Sequence, residues 1–245
     1  MIKAERIRLD QALVGQGLVS SRERAQAMVR AGLVIVDGQT ADRPDRLVDP
    51  AIGLALRDST SYVSRGGEKL AAALDTFALP VAGRAGLDVG ASTGGFTDVL
   101  LRRGAASVIA VDVGYGQLAW ALRQDPRVTV LERVNIRYLE RLPAAADLAV
   151  IDVSFISLRH VLPPVRKLLS TPADVIALVK PQFEVGKGAV GKGGIVRDAD
   201  QHQAVLRALR DFAVGAGYEV VAETPSPILG TKGNREFFLH LRLRD

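Results

Sequence analysis

The chain contains no cysteine among its 245 residues. That absence removes disulfides, thiolate metal sites and every mechanism with a cysteine nucleophile, including the covalent route by which some enzymes alkylate a pyrimidine carbon. Histidine is scarce too. His160, His202 and His240 lack ligand spacing, so no structural metal is expected. No apolar run approaches the roughly 18 residues of a spanning helix, and Met1-Ile2-Lys3-Ala4-Glu5-Arg6-Ile7-Arg8 has no signal-peptide centre. No long basic amphipathic helix stands apart from the expected core, which leaves membrane lysis without sequence support. A soluble, cytoplasmic protein with no membrane partner is expected. A phosphate loop of the form G-x-x-x-x-G-K-[ST] is also missing, which argues against a kinase or ATPase.

What is present is a hydrophobic content of 48%, enough for a real core, and a net charge of +5 that favours a polyanionic partner. The chain is organised around Ala85-Gly86-Leu87-Asp88-Val89-Gly90-Ala91-Ser92-Thr93-Gly94-Gly95-Phe96-Thr97. An apolar run with one acid opens into three glycines and then into Phe96, Val99, Leu100 and Leu101 at helical spacing, which predicts strand, tight turn and helix. Glycine suits a turn that a ligand approaches closely, and a helix N-terminus offers free amides. The G-x-x-x-G-G spacing is not the dinucleotide G-x-G-x-x-G, which disfavours a nicotinamide-dependent oxidoreductase. A second strand, 106–112, ends in Asp112, 24 residues after Asp88, where a doubly wound fold holds a ribose by its hydroxyls. An adenosyl group without a pyrophosphate fits this stretch.

Residues 1–60 read as a small module. Leu9, Ala12, Leu13 and Leu18 predict a first short helix, and Ser20-Ser21-Arg22-Glu23 a capping box that opens a second one ending at Gly32. Leu33 to Val36 predicts a strand into the Asp37-Gly38 turn, with another short strand over 52–56. The pattern from Arg8 to Gly38, R-L-D-Q-A-L-V-x-x-G-L-V-x-S-R-x-x-A-x-x-x-V-x-x-G-x-V-x-V-D-G, resembles the RNA-binding module named after ribosomal small-subunit protein four. Arg6, Arg8, Arg22, Arg24 and Arg30 precede or line the helices with few acids nearby, which suits a grip on phosphates, and the resemblance implies that the helices and the following turn lie on structured RNA with Arg8, Arg22, Arg24 and Arg30 as candidate contacts. A solvated basic face is the alternative.

Residues 57–64 read as a linker, and 61–245 as a second domain of the α/β class. Arg65 opens a helix with Leu70, Ala73, Leu74 and Phe77 on its apolar face; nothing local sets Lys69 apart from an ordinary solvent-facing lysine. Further strands are expected at 128–131, leading to Asn135, at 147–152, ending in Asp152, and at 175–179, ending in Lys180. Since ligands in open α/β sheets sit beyond the carboxyl ends of the strands, Asp88, Asp112 and Asp152 should converge on one crevice. Residues 184–197, with five glycines, Lys187 and Lys192, are long enough for a functional loop. A helix from Asp198 and a closing hairpin over 218–243 complete a mostly parallel sheet with an antiparallel edge.

Residues 65–245 resemble the Rossmann-like S-adenosylmethionine methyltransferases, and among them the FtsJ group that alkylates RNA ribose hydroxyls. The lysine, aspartate, lysine, glutamate tetrad of that group has counterparts in Lys69, Asp152, Lys180 and Glu236. Together with the N-terminal module, the strings Val63-Ser64-Arg65-Gly66-Gly67, Asp152-Val153-Ser154-Phe155-Ile156-Ser157 and Lys180-Pro181-Gln182-Phe183-Glu184-Val185-Gly186-Lys187-Gly188 are similar to the TlyA family of haemolysin-named ribosomal-RNA cytidine 2′-O-methyltransferases. The resemblance implies S-adenosyl-L-methionine as cofactor and ribosomal RNA or ribosomal subunits as partner. It also implies large-subunit specificity, since the chain stops soon after its last strand. Lys180 is the expected proton acceptor, held by Asp152 and Glu236. Asp88, Gly90, Ser92, Thr93, Gly94, Gly95 and Asp112 are the expected cofactor residues, with Asn135 on the adenine side; Arg65, Lys187 and Lys192 join the candidate RNA contacts. Two other classes stay open: a non-catalytic RNA-binding or membrane-active protein, and methylation of an exocyclic amine. The latter usually needs an Asn/Asp-Pro-Pro-aromatic turn, where this chain has Asp152-Val153-Ser154-Phe155.

Overall fold

A computed structural model describes residues 6–19, 21–30, 32–56, 62–186, 190–191, 193–230 and 232–244. The chain divides into two compact units, Met1–Arg65 and Gly66–Asp245, so the division falls five residues beyond the expected one, inside the first turn of a helix.

In the first unit β1 (Ile7–Arg8) leads into α1 (Leu9–Gly15), followed by α2 (Arg22–Arg30), β2 (Val34–Val36), β3 (Gln39–Thr40), β4 (Leu47–Val48) and β5 (Leu54–Leu56). Leu9 and Leu13, one helical turn apart, are fully buried and pack with Ala25, Val29, Val34 and Val36. The cap of α2 is Ser21, whose Oγ accepts from the Arg24 amide at 3.2 Å. Between β2 and β3, Asp37 (φ 48°) and Gly38 (φ 77°) both occupy the left-handed region that a two-residue hairpin of the I′ type demands. β2 pairs with β3 and β5, while β1 pairs antiparallel with β4. That last pairing involves two residues on each strand, too few for an alternation to show in sequence.

The second unit takes in α3 (Arg65–Thr76) from its second residue and continues with β6 (Ala85–Val89), α4 (Gly95–Arg102), β7 (Ser107–Asp112), α5 (Trp120–Arg123), β8 (Val128–Glu132), β9 (Leu148–Ile151), α6 (Leu162–Leu168), β10 (Ala173–Val179), α7 (Pro181–Glu184), α8 (Ala199–Gly215), β11 (Glu219–Pro225) and β12 (Phe237–Leu243). One seven-stranded sheet runs β11-β12-β10-β9-β6-β7-β8, parallel except where β12 lies antiparallel between β10 and β11. This is the expected α/β fold, a mostly parallel Rossmann-like sheet with an antiparallel edge hairpin. β9 is buried at every residue, as a strand covered on both faces must be, and its sequence is accordingly apolar throughout. α6 had no counterpart in the sequence reading, because Pro163 and Pro164 look like breakers yet sit in the first turn, where the missing amide costs nothing.

At the sheet's amino end of β10, Asp174 accepts from Arg84 Nη1 at 2.7 Å and from His240 Nε2 at 2.7 Å. Burial would raise this carboxyl, but the hydrogen bonds from His240 and Arg84 outweigh it and hold it well below the usual carboxylate range. His240 is thus engaged in a structural hydrogen bond on the edge opposite the strands' carboxyl ends. Among the described residues no helix is long and apolar enough to cross a membrane, and no cluster of His, Asp or Glu could hold a metal.

Candidate functional site

Strand order reverses between β6 and β9, so the loops leaving their carboxyl ends part and leave a crevice. It is a cleft of about 630 Å³ lined by Gly90, Ser92, Asp112, Gln117, Asn135 and Asp152 and by the apolar Val113, Val134, Ile136 and Val153. Asp112 closes β7 and organises the polar wall: its two oxygens accept from the backbone amides of Ser92 (2.8 Å) and Gly114 (2.6 Å). Asn135 caps the turn after β8, accepting from the Arg137 amide at 3.1 Å.

The glycines divide by purpose. Gly90 (φ 86°) lies against the Asp152 carbonyl, and a Cβ there would collide with that backbone; this position is also on the cleft wall. Gly94 (φ 95°) is filled from behind, since a Cβ would meet Leu118 and Leu122. Gly94, Gly95 and Thr93, also expected at the cofactor, are not among the residues that line the cleft, and Gly94 packs on Leu118 and Leu122. Phe96 is buried and faces Phe238 with ring centres 6.3 Å apart.

Asp88 departs further from expectation. It is fully buried and does not line the cleft; its Oδ2 accepts from the Thr97 amide (2.9 Å) and Thr97 Oγ1 (2.7 Å), capping α4 from within. Desolvation, opposed by the Thr97 bonds and assisted by Asp152, pushes its carboxyl up to about 7. The native protein therefore retains a proton that the unfolded chain releases near 3.8, and the stability this confers is lost as pH rises through about 7. Accordingly, the melting temperature of the native sequence should fall between pH 4 and 7 relative to that of Asp88→Asn, measured by calorimetry; parallel pH curves would refute the assignment.

Next to the cleft, four charged side chains form two pairs. Lys180, directly after β10, places Nζ 2.5 Å from Asp152 Oδ1 and 2.9 Å from Ser154 Oγ. Lys69, in the second turn of α3, places Nζ 2.6 Å from Glu236 Oε2. Their side chains are 11% and 3% exposed, so Lys69 is not the solvent-facing lysine its local sequence suggests. β10 and β12 pair Val179 with Phe237, and one more step along that ladder sets Lys180 opposite Glu236, which brings the two ion pairs to adjacent strand ends. Gly230 makes room for Glu236, because a Cβ there would collide with its carboxylate. Asn234, buried, ties the turn before Glu236 to the glycine-rich loop by donating to the Gly194 carbonyl and accepting from the Val196 amide, both at 2.9 Å.

The segment after Asp152 crosses the mouth of the cleft. Phe155 stands there 90% exposed, in the left-handed region (φ 63°), with its ring 5.1 Å from that of Phe183. Burial raises the Glu184 carboxyl, partly opposed by the Ser157 hydroxyl (2.6 Å) and the Leu158 amide (2.8 Å) that it accepts from. Gln117, Arg137, Ser154 and Phe155 went unselected in the sequence reading; the first two follow the strand-end acids at no fixed interval, whereas the last two sit beside Asp152.

In the first unit the basic residues differ in freedom. Buried Asp10 accepts from Arg8 (3.1 and 2.9 Å) and Gln26 (2.8 Å) and lies 3.3 Å from Arg22. The Arg8 bonds, against desolvation, hold Asp10 well below the usual carboxylate range. Arg6, Arg24 and Arg30 are exposed. Arg65 sets its side chain against Gly32. Lys187 and Lys192 lie outside the described residues, as do residues 57–61 of the expected linker.

Comparison with known proteins gives two family matches: the FtsJ-like methyltransferase over residues 62–243 and the S4 domain over residues 7–51. The chain is 51% identical over 98% of its length to the 16S/23S rRNA (cytidine-2′-O)-methyltransferase TlyA of Mycobacterium tuberculosis, covering 91% of that protein. It is 38% identical over 96% of its length to hemolysin A of Brachyspira hyodysenteriae, covering 99% of it. Among solved structures, a protein from Streptococcus thermophilus described as a hemolysin superposes with a TM-score of 0.77 at 45% identity, covering 99% of this chain and 90% of the other.

Proposed function

The chain belongs to the FtsJ-like methyltransferases, in their TlyA branch with an S4 domain, and on that premise we propose that it methylates the 2′-hydroxyl of a cytidine ribose in ribosomal RNA. The large-subunit RNA is the proposed substrate, although the name of the 51% identical relative gives the small-subunit RNA beside it, and the cytoplasm is the proposed place of action. The observation that carries the reading is Lys180, paired with Asp152 at the edge of a nucleoside-sized cleft.

The residues fit S-adenosylmethionine. Gly90 keeps the wall clear where a side chain would fill it, Asp112 retains lone pairs for two ribose hydroxyls, and Val134, Ile136 and Val153 offer an apolar bed for a purine. Bound there, the cofactor supplies a methyl group activated by a sulfonium. A ribose hydroxyl is a poor nucleophile near neutral pH, so the protein must align it and take its proton. Lys180, once deprotonated, accepts that proton at Nζ, while Asp152 holds the amine and stabilises the ammonium formed. Lys69 and Glu236, neutral as a pair, border the site without adding net charge. The exposed ring of Phe155 offers a face on which the target base stacks, a contact open to any base. Of the five candidate arginines, Arg6, Arg24 and Arg30 have charge to spare for phosphates, whereas Arg8 and Arg22 share theirs with Asp10.

The test uses ribosomal RNA and assembled subunits incubated with the protein and radiolabelled S-adenosylmethionine, followed by alkaline hydrolysis. A methyl on the 2′-oxygen blocks alkaline cleavage at that nucleotide, so label is expected in an alkali-resistant dinucleotide with cytidine at its 5′ side. Label in alkali-labile mononucleotides would point to base methylation instead, and no label would leave the RNA-binding reading standing.

A further inference from the structure

The tetrad leaves one feature of Lys180 unassigned. An amine nitrogen carries three positions besides its bond to carbon, and rotation about Cε–Nζ makes them interchangeable unless at least two are held. Asp152 Oδ1 is the ion-pair partner at 2.5 Å, without hydrogen-bond alignment, and the hydrogen bond goes to Ser154, whose Oγ accepts from Nζ at 2.9 Å. Both residues lie on the segment that follows β9, and both line the cleft. In the neutral amine only two N–H groups remain. With the Ser154 oxygen taking one and the Asp152 carboxylate drawing the other by charge, the lone pair has one direction left, and the Ser154 hydroxyl proton stays free because the oxygen acts as acceptor.

The segment is built to keep Ser154 there. Its near end is fixed where the Asp152 amide donates to the Val89 carbonyl at 2.9 Å. Its far end is fixed where Glu184 accepts from Ser157 and Leu158, and Glu184 belongs to α7, the single turn that starts right after Lys180. Between the two anchors Phe155 adopts its left-handed backbone, which places Ser154 and the exposed ring on one short crossing strap. Among the described residues Ser154 Oγ has no hydrogen bond other than that to Lys180, so no separate structural duty accounts for it.

We infer that Ser154 is a positioning residue for methyl transfer, fixing the rotation of the Lys180 amine so that its lone pair meets the substrate hydroxyl. The inference rests on the proposed reaction with Lys180 as base. It separates Ser154 from Asp152: the carboxylate stabilises charge after proton transfer, whereas the hydroxyl, being neutral, contributes direction.

The test is a single-turnover rate of methyl transfer to whichever ribosomal RNA or subunit the native protein labels, measured across pH for the full-length native protein, Ser154→Ala, Ser154→Thr and Lys180→Ala. Loss of orientation should lower the Ser154→Ala rate by about 10- to 100-fold at every pH, leaving the pH of half-maximal rate in place. Ser154→Thr keeps the oxygen and should return to within about threefold of the native rate, as befits one retained contact. S-adenosylmethionine affinity, read by calorimetry, should be unchanged in both. The inference is overturned by a Ser154→Ala rate within twofold of native, by threonine faring no better than alanine, or by a loss of cofactor affinity that accounts for the rate. Failure of the native protein to label RNA, or full activity in Lys180→Ala, would instead overturn the underlying reaction or its base, and the inference with them.

Discussion

Replacing Lys180 by alanine should lower methyl transfer by about 10²- to 10⁴-fold, the range a positioned general base supplies. Lys180→Arg should be nearly as damaged, and that comparison carries the argument. Arginine retains the positive charge and can pair with Asp152, so a purely electrostatic or structural role would survive it. A guanidinium does not release its proton in a protein, so a role as proton acceptor would not. Single-turnover rates with saturating cofactor separate these outcomes, and cofactor affinity serves as the control, because Lys180 is not on the wall of the cleft. Arginine activity near the native level would remove Lys180 from the role of base.

The second large effect concerns stability. Lys69→Met should destabilise the methyltransferase unit by about 3–5 kcal/mol, because it leaves the Glu236 carboxylate buried without its partner. In a unit of this size that corresponds to a fall of roughly 10 °C in melting temperature. The double variant Lys69→Met with Glu236→Leu should recover most of the loss, since replacing both members of a buried pair with apolar side chains avoids the stranded charge. Neither change should restore activity if the pair frames the substrate site. A single variant that melts within about 2 °C of native would show that water reaches Glu236, in conflict with the burial that gives this pair its weight.

How much was legible follows from how local each signal is. β6, the glycine turn and α4 were readable because the apolar run, the glycines and the helical spacing of Phe96, Val99, Leu100 and Leu101 lie within seventeen consecutive residues. Asp112 and Asp152 were readable as strand-end acids. Asp88 was equally readable as one and was misplaced, because the sequence shows that an acid ends an apolar run but not which side of the strand its carboxylate leaves from. Strand alternation turns Asp88 inward to Thr97, while Asp112 reaches the cleft. Lys69 failed for a related reason: its partner Glu236 lies 167 residues away. The resemblance supplied Lys69 as a candidate, and the fold supplied its burial.

The sequence alone determined the class of the fold, the two-part organisation and the residue types available for chemistry, since these rest on periodicity, composition and short motifs encoded within a few turns of chain. Tertiary structure decided which of those residues share a site. It set Lys180 between Asp152 and Ser154, joined Lys69 to Glu236, withdrew Asp88 behind the turn and tied Arg8 and Arg22 to Asp10. The reason is physical: a hydrogen bond or ion pair depends on distances of about 3 Å, and such distances between remote residues exist only after the sheet has fixed its strand order and register.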